Sequence, residues 1–213
     1  MKYVMSLGGS IINPGKIDIK LLKELKSILK KSRHQFIIVC GGGTVARDYI
    51  KAGLELKAPP MRLDEVGIKT TELNAELVAA VLGVRRAGTV EEAIMPSKIV
   101  VTNGFLPGVT TDFDSVMVAG LAGADAVINI SNVPGIYDKD PKIKGAKLLK
   151  TLSHKKLIEL ASGYELGLGE HFIFDLAATK LAARNKLKIV CLQGMKNLKA
   201  FLDGKKFTGS IVK

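Results

Sequence analysis

Twelve residues, FIIVCGGGTVAR from Phe36 to Arg47, restrict the fold of this chain more than any other stretch. An apolar, strand-forming run ends in three consecutive glycines, Gly41, Gly42 and Gly43, and a helical pattern follows. Glycine lets backbone approach a ligand closely. The amides at a helix N-terminus attract anions, and Arg47 lies one turn into the helix. The stretch is therefore a candidate phosphate site with a guanidinium beside it. Tight strand-to-helix turns also use glycine for purely structural reasons, so the remaining loops must decide.

The rest of the chain repeats the same rhythm. Residues 2–7 read as a strand, broken by Gly8, Gly9 and Ser10. Asp18 can cap a helix to about Lys31 with Ile19, Leu22, Leu25, Ile28 and Leu29 on one face. A helix from about Thr44 to Leu54 follows the glycines, and Pro59–Pro60 opens a long one over Met61–Leu82. Its apolar members include Leu63, Val66, Leu73, Leu77, Val78 and Val81. Val90–Ile94 reads as one helical turn, Lys98–Val101 as a strand, Asp112–Ala122 as a helix and Ala126–Ile130 as a strand. Leu148–Leu152 is expected in a small hairpin. Helices are expected from Ser153 to Ser162 and from Asp175 to Asn185. A strand Leu187–Leu192, a helix Met195–Leu202 and a strand Thr208–Val212 close the chain. Strands alternating with helices indicate an α/β fold with a largely parallel sheet.

Composition narrows the function classes. The chain has 213 residues, 47% apolar and 24% charged, which suits one globular unit or two tightly joined lobes. No apolar run approaches the roughly 20 residues of a membrane span. The start, MKYVMSLGGS, reads as a strand into glycines rather than a signal peptide. Cys40 and Cys191 lie in apolar strand-like runs, as buried thiols of a reducing cytoplasm would. The net charge is +12, but the lysines are spread over helical faces without interleaved aromatics. That pattern reads as solvated surface and excludes neither an anionic substrate field nor the less favoured nucleic-acid surface. His34, His154 and His171 show no metal-ligand spacing, and no nucleophile–histidine triad assembles.

Four polar loops, 8–10, 41–43, 103–111 and 131–140, leave the ends of expected strands, where open α/β sheets bind ligands. All are rich in Gly, Ser, Thr or Asn. A P-loop needs Lys-Ser or Lys-Thr after its glycines, whereas Thr44, Val45 and Ala46 follow Gly43. Gly41, Gly43 and Ala46 match the dinucleotide form, but Asp64, the acidic residue at about the right distance, lies in a helical pattern and not at a strand end. What survives is phosphoryl transfer by positioning, which needs amides, cations and a loop gripping the acceptor but no protein nucleophile.

The order of motifs is similar to a known family. It runs GGS (Gly8–Ser10), GGGTVAR (Gly41–Arg47), DEVGIKTTELNA (Asp64–Ala75), GFLPGVTTD (Gly104–Asp112), SNVPGIYDKDP (Ser131–Pro141) and FDLAATKLAARNKLKIVCL (Phe174–Leu192). Nearly the whole chain resembles the amino acid kinase superfamily and, within it, the archaeal uridylate kinase branch. The resemblance implies a three-layer sandwich around a largely parallel sheet, with an acceptor lobe over roughly 1–125 and a nucleotide lobe over 126–213. It implies transfer of the ATP γ-phosphoryl group to UMP for pyrimidine nucleotide synthesis, in the cytoplasm, by a homohexamer built as a trimer of dimers. Mg²⁺ would be held mainly by the phosphates, and neither nucleic acid nor membrane would be a partner.

Carried over residue by residue, the family places Gly9 and Ser10 on the ATP phosphates, Gly42 towards UMP, and Gly43 and Arg47 towards ATP. Asp64 would hold the uridine end. Phe105, Leu106, Pro107, Gly108, Val109, Thr110 and Thr111 would wrap UMP, the two threonine hydroxyls on its phosphate. Ser131, Asn132, Tyr137 and Asp140 would line the adenine nucleotide pocket. Arg47 and Lys180 would act on the transferring phosphates. Several positions depart from the pattern. Ser6 stands where many members carry lysine, Glu72 where arginine is common, Leu176 where proline is usual, Asn103 for a glycine and Pro134 for an aspartate. A sister kinase with another acceptor and a non-catalytic nucleotide sensor are the alternatives these departures keep in view.

Overall fold

The computed structural model describes residues 1–163 and 174–213; His171 lies outside them. In chain order the elements are β1 (Lys2–Leu7), α1 (Gly9–Ile12), α2 (Ile19–Lys31), β2 (Gln35–Cys40), α3 (Gly43–Glu55), α4 (Pro60–Leu82), α5 (Val90–Ile94) and β3 (Ile99–Thr102). There follow α6 (Thr111–Ala122), β4 (Ala126–Ser131), β5 (Thr151–Leu152), α7 (His154–Gly163), α8 (Leu176–Arg184), β6 (Ile189–Gln193), α9 (Gly194–Leu202) and β7 (Gly209–Val212).

The strands form one sheet in the order β3-β2-β1-β4-β6-β7-β5. Every neighbouring pair is parallel except β6 with β7. The central strands are buried along nearly their whole length, because helices cover both faces and hydrophobic alternation is therefore absent. Met5, Leu7, Phe36 and Ile38 point to one face, where Leu22, Leu25 and Leu29 of α2, Val78 and Leu82 of α4, and Leu198 of α9 cover them. Val4, Ile37, Val39 and Val127 point to the other, against Val116 and Ala119 of α6, Leu157 of α7, and Ala178 and Ala182 of α8. Helices on both faces of one sheet make the expected three layers.

Local chemistry sets the element ends. The Asp18 carboxylate accepts from the Leu21 amide and starts α2, Thr89 does the same for Glu92 in α5, and Asp175 for Ala178 in α8. Gly83 and Gly123, both left-handed, stop α4 and α6. Three expectations are corrected. The break after Leu7 is itself a single helical turn, α1, because the chain winds back over Gly8: the Ile11 amide donates to its carbonyl. Leu148–Leu152 belongs to a small hairpin only at its start, where the Leu149 amide donates to the Ile136 carbonyl and the Asp138 amide to the Lys147 carbonyl. Leu148 bridges back to Tyr137, and Thr151–Leu152 pairs in parallel with β7. Finally, Ile19 and Leu73 leave the apolar faces proposed for them, at 63% and 66% exposure. Ile19 precedes the stretch of α2 that reaches the sheet, and the buried side of α4 carries Thr70, Thr71, Asn74 and Ala75 between the expected apolar Leu63 and Val78.

Candidate active site at the carboxyl edge of the sheet

The sheet order carries the four polar loops to one edge and arranges them in a row. Parallel β3, β2, β1 and β4 are consecutive neighbours, so loops 103–111, 41–43, 8–10 and 131–140 leave their carboxyl ends side by side in that order. Strand order reverses beside β1: the chain steps outward through β2 and β3, then returns to place β4 on the other side. Such a switch point opens a crevice at the carboxyl ends of the strands.

The two middle loops interlock at backbone level. A Cβ at Gly9 would lie 2.1 Å from the Gly43 amide nitrogen and 2.4 Å from the Gly41 carbonyl, so no larger residue fits. Gly43 has φ +67°, which only glycine adopts cheaply. The buried Asn74 amide of α4 donates to the Gly41 carbonyl at 2.7 Å and the Gly42 carbonyl at 3.3 Å. With those carbonyls occupied, the Gly43 and Thr44 amides at the start of α3 keep the anion-binding character of a helix N-terminus.

Loop 103–111 is tied down at both ends. The Gly104 amide donates to Thr71 Oγ1 at 2.9 Å and the Phe105 amide to Asp114 Oδ2 at 3.1 Å. At the far end Thr110 caps α6 through the Phe113 amide, and its hydroxyl donates to Asp175 at the start of α8. Thr111 approaches the glycine loop, its Oγ1 3.3 Å from where a Cβ on Gly41 would sit. Between these anchors Leu106, Pro107, Gly108 and Val109 are exposed. The structure thus brings Gly9, Gly41, Gly42, Gly43 and Thr111 together.

Ser10 also reaches the seam, its amide nitrogen 2.6 Å from where a Cβ on Gly43 would sit, and the remaining candidates surround it. Ser10 follows Gly9 in α1. Arg47 is exposed on α3 and donates to Thr44 Oγ1 at 3.2 Å. Asp64 sits half-buried on α4, which packs against α3. Beyond β4, Ser131 Oγ bonds the Val133 backbone, the Asn132 carbonyl accepts from Gln193 Nε2 at 2.7 Å, Tyr137 is half-buried, and Asp140 Oδ1 accepts from the Lys142 amide in a turn. Lys180 is exposed on α8.

One constellation was not picked out from sequence. Ser6 on β1 and Asn129 on β4 are directly paired across the sheet, both buried, on the face covered by α6. Ser6 Oγ and Asn129 Nδ2 each donate to Asp112 Oδ1, both at 2.7 Å. Burial pushes the Asp112 carboxyl up to about 7, and the Asp175 carboxylate pushes the same way, against the two hydrogen bonds. The signal was present: a polar residue interrupts each of two otherwise apolar strands, YVMSL and AVINI, at the same height. Asn74, Thr71 and Asp175 were missed as loop anchors too, since only tertiary pairing gives them that role.

A cavity of about 970 Å³ lies at the opposite end of the strands, between α2 and α9, lined by Tyr3, His34 and Phe201 among others. His34 packs edge-on against Tyr3 and Phe36 there, a structural histidine. Cys40 and Cys191 are buried free thiols inside strands, pushed up by burial and therefore unreactive.

Comparison with known proteins agrees with this geometry. The model of the amino acid kinase family matches residues 1–193. A uridylate kinase of Thermoplasma volcanium is 38% identical over 211 residues, covering 95% of this chain and 93% of that protein. One of Methanobrevibacter smithii is 37% identical over 204 residues, covering 91% and 90%. The crystal structure of a uridylate kinase from Archaeoglobus fulgidus superimposes with a TM-score of 0.85 at 30% identity over the whole of both chains. A UMP kinase structure from Bacillus anthracis shares the fold at 20% identity, TM-score 0.78, covering all of this chain and 95% of that one. With the glycine seam, the loop row and these matches over nearly its full length, the chain belongs to the amino acid kinase family.

Proposed function

We propose that this protein is a uridylate kinase, moving the γ-phosphoryl group of ATP to UMP to give UDP and ADP in pyrimidine nucleotide synthesis. The observation that carries the reading is the row of four loops in sheet order across the switch point, in a chain 34–38% identical to several archaeal proteins named uridylate kinases. UMP lies on the side of loop 103–111 and ATP on the side of loop 131–140. Their phosphates meet above Gly9 and Gly43, where backbone amides replace side chains.

A phosphate oxygen of UMP attacks the γ-phosphorus in line. The bond from that phosphorus to the β,γ-bridging oxygen breaks, and ADP leaves with the electron pair. Catalysis is then alignment and charge neutralisation. Thr110 and Thr111 orient the acceptor phosphate, Phe105–Val109 close over the nucleotide, and Asp64 holds its uridine end. Gly9, Ser10 and Gly43 receive the ATP phosphates; Ser131, Asn132, Tyr137 and Asp140 receive the adenosine. Arg47 and Lys180 supply the positive charge. Mg²⁺ would be held mainly by the phosphates and, when bound, would neutralise part of their charge. The lobe boundary near residue 125 follows from this division between acceptor and donor loops.

The test is ADP release from ATP·Mg²⁺ with a panel of acceptors. Release with UMP is expected, and release only with a different phosphate or carboxylate acceptor would assign the chain to a sister kinase. ATP binding without release with any acceptor would make it a nucleotide sensor.

A further inference from the structure

Asp114 is a buried carboxylate to which that mechanism gives no role. Asp114 lies in the first turn of α6, 1% exposed. Its Oδ2 accepts from the Phe105 amide at 3.1 Å, and its Oδ1 has no partner. No cation pairs with it among the described residues, and the Asp175 carboxylate opposes its ionisation. Burial, with that repulsion, pushes its carboxyl up to about 6. Burying an unpaired carboxylate costs several kcal/mol, and a leucine of the same branching would avoid that cost.

The location suggests what the carboxylate does. Asp114 Oδ2 lies 3.3 Å from where a Cβ on Gly104 would sit, beneath the root of loop 103–111. Thr71 holds the Gly104 amide from the α4 side and Asp114 holds the Phe105 amide from the α6 side. These are the second and third amides after β3, and residues 106–110 are exposed beyond them. The direction in which the loop leaves the sheet is therefore set by two side chains from opposite layers. On the reading of loop 103–111 as the acceptor loop, we infer that Asp114 is its positioning residue: by holding the Phe105 amide it sets affinity for the acceptor nucleotide and leaves the donor unaffected.

Two variants and one measurement on the unmodified protein test this. Asp114→Leu removes the acceptor atom. It should raise KM for UMP about tenfold, the value of one hydrogen bond, with KM for ATP within about twofold. Asp114→Asn keeps an oxygen for the Phe105 amide and loses the charge. It should keep the UMP KM that Asp114→Leu loses while raising the melting temperature at pH 8; a merely structural carboxylate would leave the UMP KM unchanged in both variants. Equal shifts in both KM values, or an unchanged UMP KM in Asp114→Leu, would overturn the inference. If Asp114→Leu does not fold, hydrogen exchange of the wild-type protein decides. The Phe105 amide should exchange far more slowly than those of Leu106 and Gly108, and exchange as fast as theirs would overturn it. Absence of any UMP-dependent ADP release from the wild type would instead refute the uridylate kinase reading.

Discussion

Asp112 is the residue on which the electrostatics of the site turn. It joins the two central strands through Ser6 and Asn129, and its carboxyl titrates near 7 rather than near 4. A carboxylate raised on folding binds its proton more tightly in the native state. Its contribution is therefore most favourable at low pH and is lost as pH rises from about 4 to about 7. Asp112→Asn keeps the accepting oxygen without the charge. It should stabilise the fold by about 2 kcal/mol or more at pH 8, and the gain should vanish towards pH 4. Denaturant unfolding at the two pH values measures it; a gain independent of pH would contradict the burial account. Arg47, exposed and bonded only to Thr44 among the described residues, should be dispensable for folding but not for turnover. Arg47→Ala should lower kcat/KM by about a hundredfold or more with an unchanged melting temperature; near-normal kcat/KM removes it from the mechanism. At this scale the glycines were legible, because three in a row after an apolar strand have few uses. Ser6 was legible only as a missing lysine. Its role with Asn129 needs the register that pairs them, which no local pattern encodes.

The elements were easier to read than their connections. The face of α2 through Leu22, Leu25 and Leu29 and the caps Asp18 and Asp175 carry strong local signals, and both helices stand within a residue or so of the expected ends. The elements that were missed or misassigned are short. The four residues of α1 include a glycine and a serine, and the two residues of β5 become a strand only because β7 passes beside them. Long α4 was located correctly, and its apolar members Leu63 and Val78 are buried, but Thr71 and Asn74 also face inward, bonding loop 103–111 and the glycine loop. A hydrophobic period cannot reveal such polar ties. Asn74 is the most exacting of them. Asn74→Ala leaves the Gly41 and Gly42 carbonyls without their buried donor, so unfolding free energy should fall by about 2 kcal/mol and kcat/KM should fall further than stability alone explains. Normal turnover with lowered stability would make Asn74 a purely structural tie.

At the scale of the whole molecule, alternating strands and helices implied a parallel sheet, but they did not determine the strand order. That order turns four separate loops into one site. The net charge of +12 also acts at this scale. For two anionic substrates it predicts KM values that rise with ionic strength, and a flat salt dependence would confine electrostatic attraction to the site itself. Exposed Leu54, Leu56, Met61 and Leu73 on or beside α3 and α4 offer apolar surface for assembly. A homohexamer should sediment at about 137 kDa, six times 22.8 kDa. The division of the loop row between two nucleotides is the central claim. A crystal structure with UMP and a non-hydrolysable ATP analogue tests it most directly. The account predicts uridine beside Asp64 and loop 103–111, adenine beside Tyr137 and Asp140, and the two phosphate chains meeting over Gly9 and Gly43. Nucleotides in exchanged positions, or both on the same side of that seam, would contradict it.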